Sequence, residues 1–155
     1  MNPVLMTYLE CAVLSMVPVI ELRGALPWAI AHSLPAWPSY ALCVICNLLP
    51  VPVILLFVKK VLGWMDKRPG LLSRVSGWVE EHAQKRLDTY YKYKLLGLFI
   101  LVAIPLPGTG AWTGALVASI LGVPAKSAVP VILLGVAAAG LVVLGLSMGV
   151  VTALG

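Results

Sequence analysis

The sequence predicts an all-α integral membrane protein: two inverted repeats, each a re-entrant helical hairpin plus one transmembrane helix, joined by a cytoplasmic amphipathic helix. Three observations lead there. Of the 155 residues 61% are hydrophobic and 11% charged, against roughly 45–50% and about 25% in soluble domains. The remaining polar residues cannot cover a soluble surface. Nine of the eleven Lys and Arg residues fall between Lys59 and Lys94. Two of the four apolar regions are interrupted near the middle by prolines and glycines.

The chain reads as one membrane domain, 1–155, with a first half (1–58), a polar linker (59–94) and a second half (95–155). The opening Met1-Asn2-Pro3 has no basic stretch, and no small-residue cleavage pattern follows the first apolar run. That run is therefore expected to stay rather than act as a signal peptide. Two regions, Ser39 to Val58 and Val123 or Pro124 to about Val150, reach the roughly 20 residues a spanning helix needs.

The other two, Val4 to Pro35 and Leu95 to Gly122, hold about 30 residues each, too few for two crossings and a turn. The first is broken at Pro18-Val19-Ile20-Glu21-Leu22-Arg23-Gly24-Ala25-Leu26-Pro27, the second at Pro105-Leu106-Pro107-Gly108-Thr109-Gly110. Each suits a hairpin that dips to mid-membrane and returns. Irregular backbone at that depth must be buried in protein or line a polar cavity, so the two breaks are expected to face each other. The density of breakers argues against a merely kinked helix.

The segment from Lys59 to Lys94 also carries Asp66, Glu80, Glu81 and Asp88. By the positive-inside rule it faces the cytoplasm. Leu72, Val75 and Val79 recur at helical spacing within it, and Tyr90, Tyr91 and Tyr93 interleave with Lys92 and Lys94. This predicts an amphipathic helix on the inner leaflet, with lipid rather than nucleic acid as its partner. The first hairpin then opens to the outside and the second to the cytoplasm, giving the halves inverted topology. The location is the inner (cytoplasmic) membrane, multi-pass. Lys126 falls inside, and the outer loop from His32 to Tyr40 lacks Lys and Arg. A short repeat accompanies the symmetry: Arg23-Gly24-Ala25-Leu26 against Thr113-Gly114-Ala115-Leu116.

Glu21 and Arg23 are the only charges placed deep in the membrane. Two apart, they share one side if the stretch is extended. Two readings stand: Arg23 holds an anionic substrate group with Glu21 as counter-charge or proton carrier, or the charges satisfy each other and the backbone ends of the opposite hairpin. Gly24 follows directly. Gly108, Thr109 and Gly110 allow close backbone approach, and Thr109 or Thr113 could cap the next helix, leaving amides for an anion. Trp112 lines the cavity or packs. Asn47, ahead of Pro50 and Pro52, faces the cavity or holds a kink. Cys11, Cys43 and Cys46 are read as packing residues. No catalytic set, phosphate loop or metal-ligand spacing appears, so neither enzyme, cofactor nor metal is expected.

Glu21-Leu22-Arg23-Gly24-Ala25-Leu26-Pro27, together with Pro105-Leu106-Pro107-Gly108-Thr109-Gly110-Ala111-Trp112-Thr113-Gly114, resembles the two signature stretches of the bacterial and archaeal small multidrug export protein family. The resemblance covers nearly the whole chain. That family is similar in plan to the DedA superfamily, with its two facing re-entrant hairpins. The second hairpin here has no Arg, where DedA members generally carry acidic and basic residues in both halves. The resemblance implies a transporter or lipid translocator, and the reading of Arg23 makes its substrate a small anionic or amphiphilic compound. So few helices call for a homodimer. The alternative is a non-transporting scaffold whose amphipathic helix recruits partners.

Overall fold

The computed structural model describes residues 3–66, 91–106 and 108–154, and every regular element among them is helical. The helices are α1 (Pro3–Met16), α2 (Glu21–Ala31), α3 (Ala36–Leu48), α4 (Pro50–Asp66), α5 (Tyr91–Ala103), α6 (Ala111–Ile120) and α7 (Ala125–Leu154). The expected amphipathic helix of residues 71–89 and the second break's Pro107 lie outside the described residues.

Two stretches are long and apolar enough to cross a membrane: Ala36–Val61 (26 residues, α3 running on into α4) and Ala125–Ala153 (29 residues, α7). At about 1.5 Å per residue both exceed a hydrocarbon core of about 30 Å. Only 33% and 39% of their most apolar windows are buried. Val13, Ile45, Phe57 and Leu146 stand 62–66% exposed, an apolar exterior that suits lipid and not water. The first span is interrupted at Leu49, whose N–H bonds back to the Cys46 carbonyl, because Pro50 cannot donate and its ring crowds the preceding turn.

The remaining helices pair as α1 with α2 and α5 with α6, at 14, 11, 13 and 10 residues. At about 15–21 Å each is shorter than a bilayer core. The order of helix, break, short helix and long helix occurs twice. Glu21 and Ala111 open the two short helices 90 residues apart, and the two long apolar stretches open at Ala36 and Ala125.

The junctions repeat as well. After α2, Ser33 (φ +62°) sends its N–H to Ile30 and Leu34 to Ala29; after α6, Gly122 (φ +67°) bonds Ser119 and Val123 bonds Ala118. Both are Schellman closures with a left-handed residue past the C-cap. Each leads into Pro-Ala, Pro35-Ala36 or Pro124-Ala125, where the proline opens the long helix.

In lipid, helices gain little from burying apolar surface and much from close approach. The centre is accordingly built of small residues: Ala25, Ala29, Ala111, Ala115, Ala118 and Ala128 are all 0% exposed. Val102 of α5 fits against Gly114 and Gly135, where an added Cβ would stand 2.6 and 2.7 Å from its side chain. Tyr40 ties α3 to α7 by donating to the Ala137 carbonyl at 3.0 Å, its ring edge lying over Gly140.

Candidate functional site

The two breaks meet at a polar kernel. Glu21 is its acidic member, 5% exposed. Oε1 accepts from the Trp112 N–H at 3.3 Å, and the Ala111 amide lies beside the carboxylate. These are the first two amides of α6, which has no side-chain cap of its own. A helix N-terminus attracts negative charge through its unpaired N–H groups and dipole, and here the anion comes from the other half of the same chain. Gly110 permits the approach, since a Cβ there would run into the Glu21 carboxylate.

Arg23 takes the opposite pole. Its Nη2 donates to the Val102 and Ile104 carbonyls, each at 3.0 Å, closing the C-terminal end of α5, where a cation is favoured. Its Nη1 lies 3.7 Å from Glu21 Oε2. Trp112 returns the arrangement: its indole Nε1–H donates to Met16 O at the end of α1, at 3.1 Å. Side chains from each break thus serve helix ends of the other half.

The expected extended stretch is not what joins Glu21 to Arg23. α2 begins at Glu21, whose φ is +49°, a left-handed conformation costing an L-residue about 1–2 kcal/mol. That turn, and not a β-like alternation, lets both side chains reach the second half. Asn47 of α3 sits two residues before the Leu49 interruption and lines the kernel's cavity.

Other expectations are corrected. Neither threonine caps α6. Thr109 Oγ1 donates to the Ile104 and Leu106 carbonyls and Thr113 Oγ1 to Gly108 O, so both hold the turn while Glu21 takes the amides. Gly108 (φ +82°) supplies that turn's left-handed step. Trp112 packs and bonds Met16 without lining the cavity. Gly24 seats Ile20, whose Cγ2 would be 2.6 Å from an added Cβ.

Glu10 was missed. It lies midway along α1 among Met6, Leu9 and Val13, is exposed, and is a second acid within an apolar helix. One acidic letter between Leu9 and Cys11 was the available signal. The cysteines meet across helices, Cys11 Sγ lying 3.3 Å from Cys43 Sγ. Among the described residues no group of three or more His, Cys, Asp or Glu could hold a metal ion.

The cavity lined by Glu21, Arg23, Asn47, Val102, Gly110 and Val136 leaves about 10 Å³ for the centre of a water-sized sphere. That is far below the roughly 300–1,000 Å³ typical of a ligand pocket. The kernel has no room for a substrate-sized ligand in this arrangement.

A sequence profile described as putative small multi-drug export protein matches residues 21–142. The chain belongs to this family. The match starts on Glu21 itself and takes in the rest of the first break, the whole second break, Asn47 and most of α7, so Glu21, Arg23 and their partners in the second half lie within the family's own region. The description points to export rather than catalysis. No curated protein and no solved structure matches the chain.

Proposed function

We propose that the chain is an inner-membrane exporter. In this reading a small anionic or amphiphilic compound, drug-like or lipid carrier, moves through a path that opens between two facing re-entrant hairpins of inverted topology, with Glu21 carrying a proton. The observation that carries the reading is the crossed attachment of Glu21 and Arg23 to helix ends of the other half.

Magnitudes favour a working role for these charges. A charge at a helix end gains up to about 2 kcal/mol, whereas burying an ion costs several kcal/mol, and apolar replacements of buried pairs are often equally stable. Stability alone does not account for them. Parting the halves frees Arg23 from two carbonyls and Glu21 from the α6 N-terminus. An anionic group then substitutes for the carbonyls, and a proton neutralises the carboxylate. Two spans and two hairpins are too little protein to seal such a path, so the working unit is a homodimer in contact with anionic lipid. The scaffold reading is favoured by one observation, that Arg23 already has backbone partners.

Proteoliposomes under a pH gradient test the proposal, with carboxyfluorescein efflux and flipping of NBD-labelled phosphatidylglycerol as probes. The folded chain should accelerate at least one probe. Arg23→Ala should lower that rate at least tenfold, and Glu21→Gln should remove its pH dependence. Rates equal to empty vesicles for both probes would end the proposal.

A further inference from the structure

Two buried side-chain polar atoms among the described residues have no hydrogen-bond partner: Arg23 Nε, a donor, and Asn47 Oδ1, an acceptor. Asn47 is 2% exposed, so bulk water does not serve it. Its Oδ1, like Arg23 Nε, is buried without a partner inside the kernel. The residues owning both orphaned atoms line the same cavity, whose space of about 10 Å³ is close to the least that holds one water.

The occupant must accept a hydrogen bond from Arg23 and donate one to Asn47. A metal cation would suit Asn47 Oδ1 but is repelled by the guanidinium and accepts nothing from its N–H. A halide would take the Arg23 proton, yet offers nothing to Oδ1 and would lie beside the Glu21 carboxylate. An apolar group leaves both atoms unsatisfied. Water alone among occupants of this size does both.

We infer that this cavity is a binding site for a single water molecule bridging Arg23 Nε and Asn47 Oδ1. The water joins α3, the first membrane span, to the charged residues that hold the two breaks together. It gives the guanidinium's Nε a partner, beside Nη2 on the Val102 and Ile104 carbonyls and Nη1 toward Glu21. The inference needs only the closed arrangement and stands whether or not the chain transports anything.

The test is water-edited solid-state NMR of the whole chain in lipid bilayers with 15N-arginine, the Arg23 Nε signal being assigned by its disappearance in Arg23→Lys. Magnetisation should reach Arg23 Nε from a slowly exchanging water. It should persist in Asn47→Ser, which keeps an acceptor, and be lost in Asn47→Leu, which fills the space. No transfer in the wild-type chain, or undiminished transfer in Asn47→Leu, would overturn the site. Should Asn47→Leu not fold, a density map that resolves ordered solvent decides. One peak within about 2.7–3.2 Å of both atoms is expected, and a dry cavity or a direct bond between Arg23 and Asn47 refutes the site.

Discussion

Glu21 and Arg23 stand 3.7 Å apart and grip opposite poles of one helical pair, the carboxylate on the Trp112 amide at the start of α6 and the guanidinium on the Val102 and Ile104 carbonyls at the end of α5. Each neutralises a helix end as well as its neighbour. Removing either therefore strands the other charge together with a set of unpaired backbone groups.

Arg23→Ala or Glu21→Leu should each cost about 3–5 kcal/mol, the loss typical of breaking a buried pair from one side. The double change Glu21→Leu and Arg23→Leu should recover much of that. Thermal unfolding in detergent or nanodiscs measures it. If the double variant also regained full transport, the pair would be structural and the export mechanism given above would fall.

Gly110→Ala places a methyl against the Glu21 carboxylate and should destabilise by about 1–3 kcal/mol, the usual cost of overpacking. Gly145→Ala is the control. Nothing lies within 4 Å of a Cβ there, and alanine in that helical position should be neutral or stabilising by about 0.5–1 kcal/mol. A comparison of unfolding midpoints reads both, and equal effects would refute the close approach at Gly110.

Cys11 and Cys43, with sulfurs 3.3 Å apart, should join under a membrane-permeant oxidant such as diamide, in preference to the Cys43 and Cys46 pair that is nearer in sequence. Peptide mass mapping identifies the bridge. Exclusive Cys43–Cys46 linkage would contradict the packing of α1 on α3.

Single cysteines in a background free of Cys11, Cys43 and Cys46 test the topology. Residues 32–40 and Lys59 or Lys92 should label from opposite sides of the membrane. Ile20 and Thr109 should react with small aqueous reagents while remaining shielded from lipid-soluble ones. Labelling of the two loop regions from one side would remove the inverted arrangement.

Glu10→Leu should leave the fold intact and raise the unfolding midpoint by several degrees. Its carboxylate stands among exposed apolar residues of α1, where a charge facing hydrocarbon costs about 2.5–3.5 kcal/mol. A lower midpoint would mean that Glu10 is held by a partner.

What the sequence made legible follows from which features leave a residue-level mark. Pro18, Pro105, Gly108 and Gly110 punctuate the apolar runs densely enough to place both breaks, and the juxtaposition of the breaks follows from the cost of unpaired backbone in lipid. The partners of Glu21 and Arg23 were not identifiable individually, because the amides of Ala111 and Trp112 and the carbonyls of Val102 and Ile104 carry no side-chain signature. The left-handed turn at Glu21 left none either, since glycine and not glutamate ordinarily marks such a position. The matching Pro35-Ala36 and Pro124-Ala125 junctions were present in the letters and passed over, as a two-residue match is weak until the Schellman closures ahead of them are seen.

Glu21 carries both the charge of the closed kernel and the strain of its turn. Its left-handed backbone costs about 1–2 kcal/mol, and its bond to Trp112 and its place beside the Ala111 amide hold that conformation in place. Relaxing the turn would withdraw the carboxylate, and neutralising the carboxylate would weaken one of the contacts that hold the turn. A glycine at this position would ease the backbone and forfeit the anion, while a glutamine would keep the shape and weaken the grip. In the export mechanism proposed above, the residue would act as a cocked latch, its protonation and its backbone shape changing together.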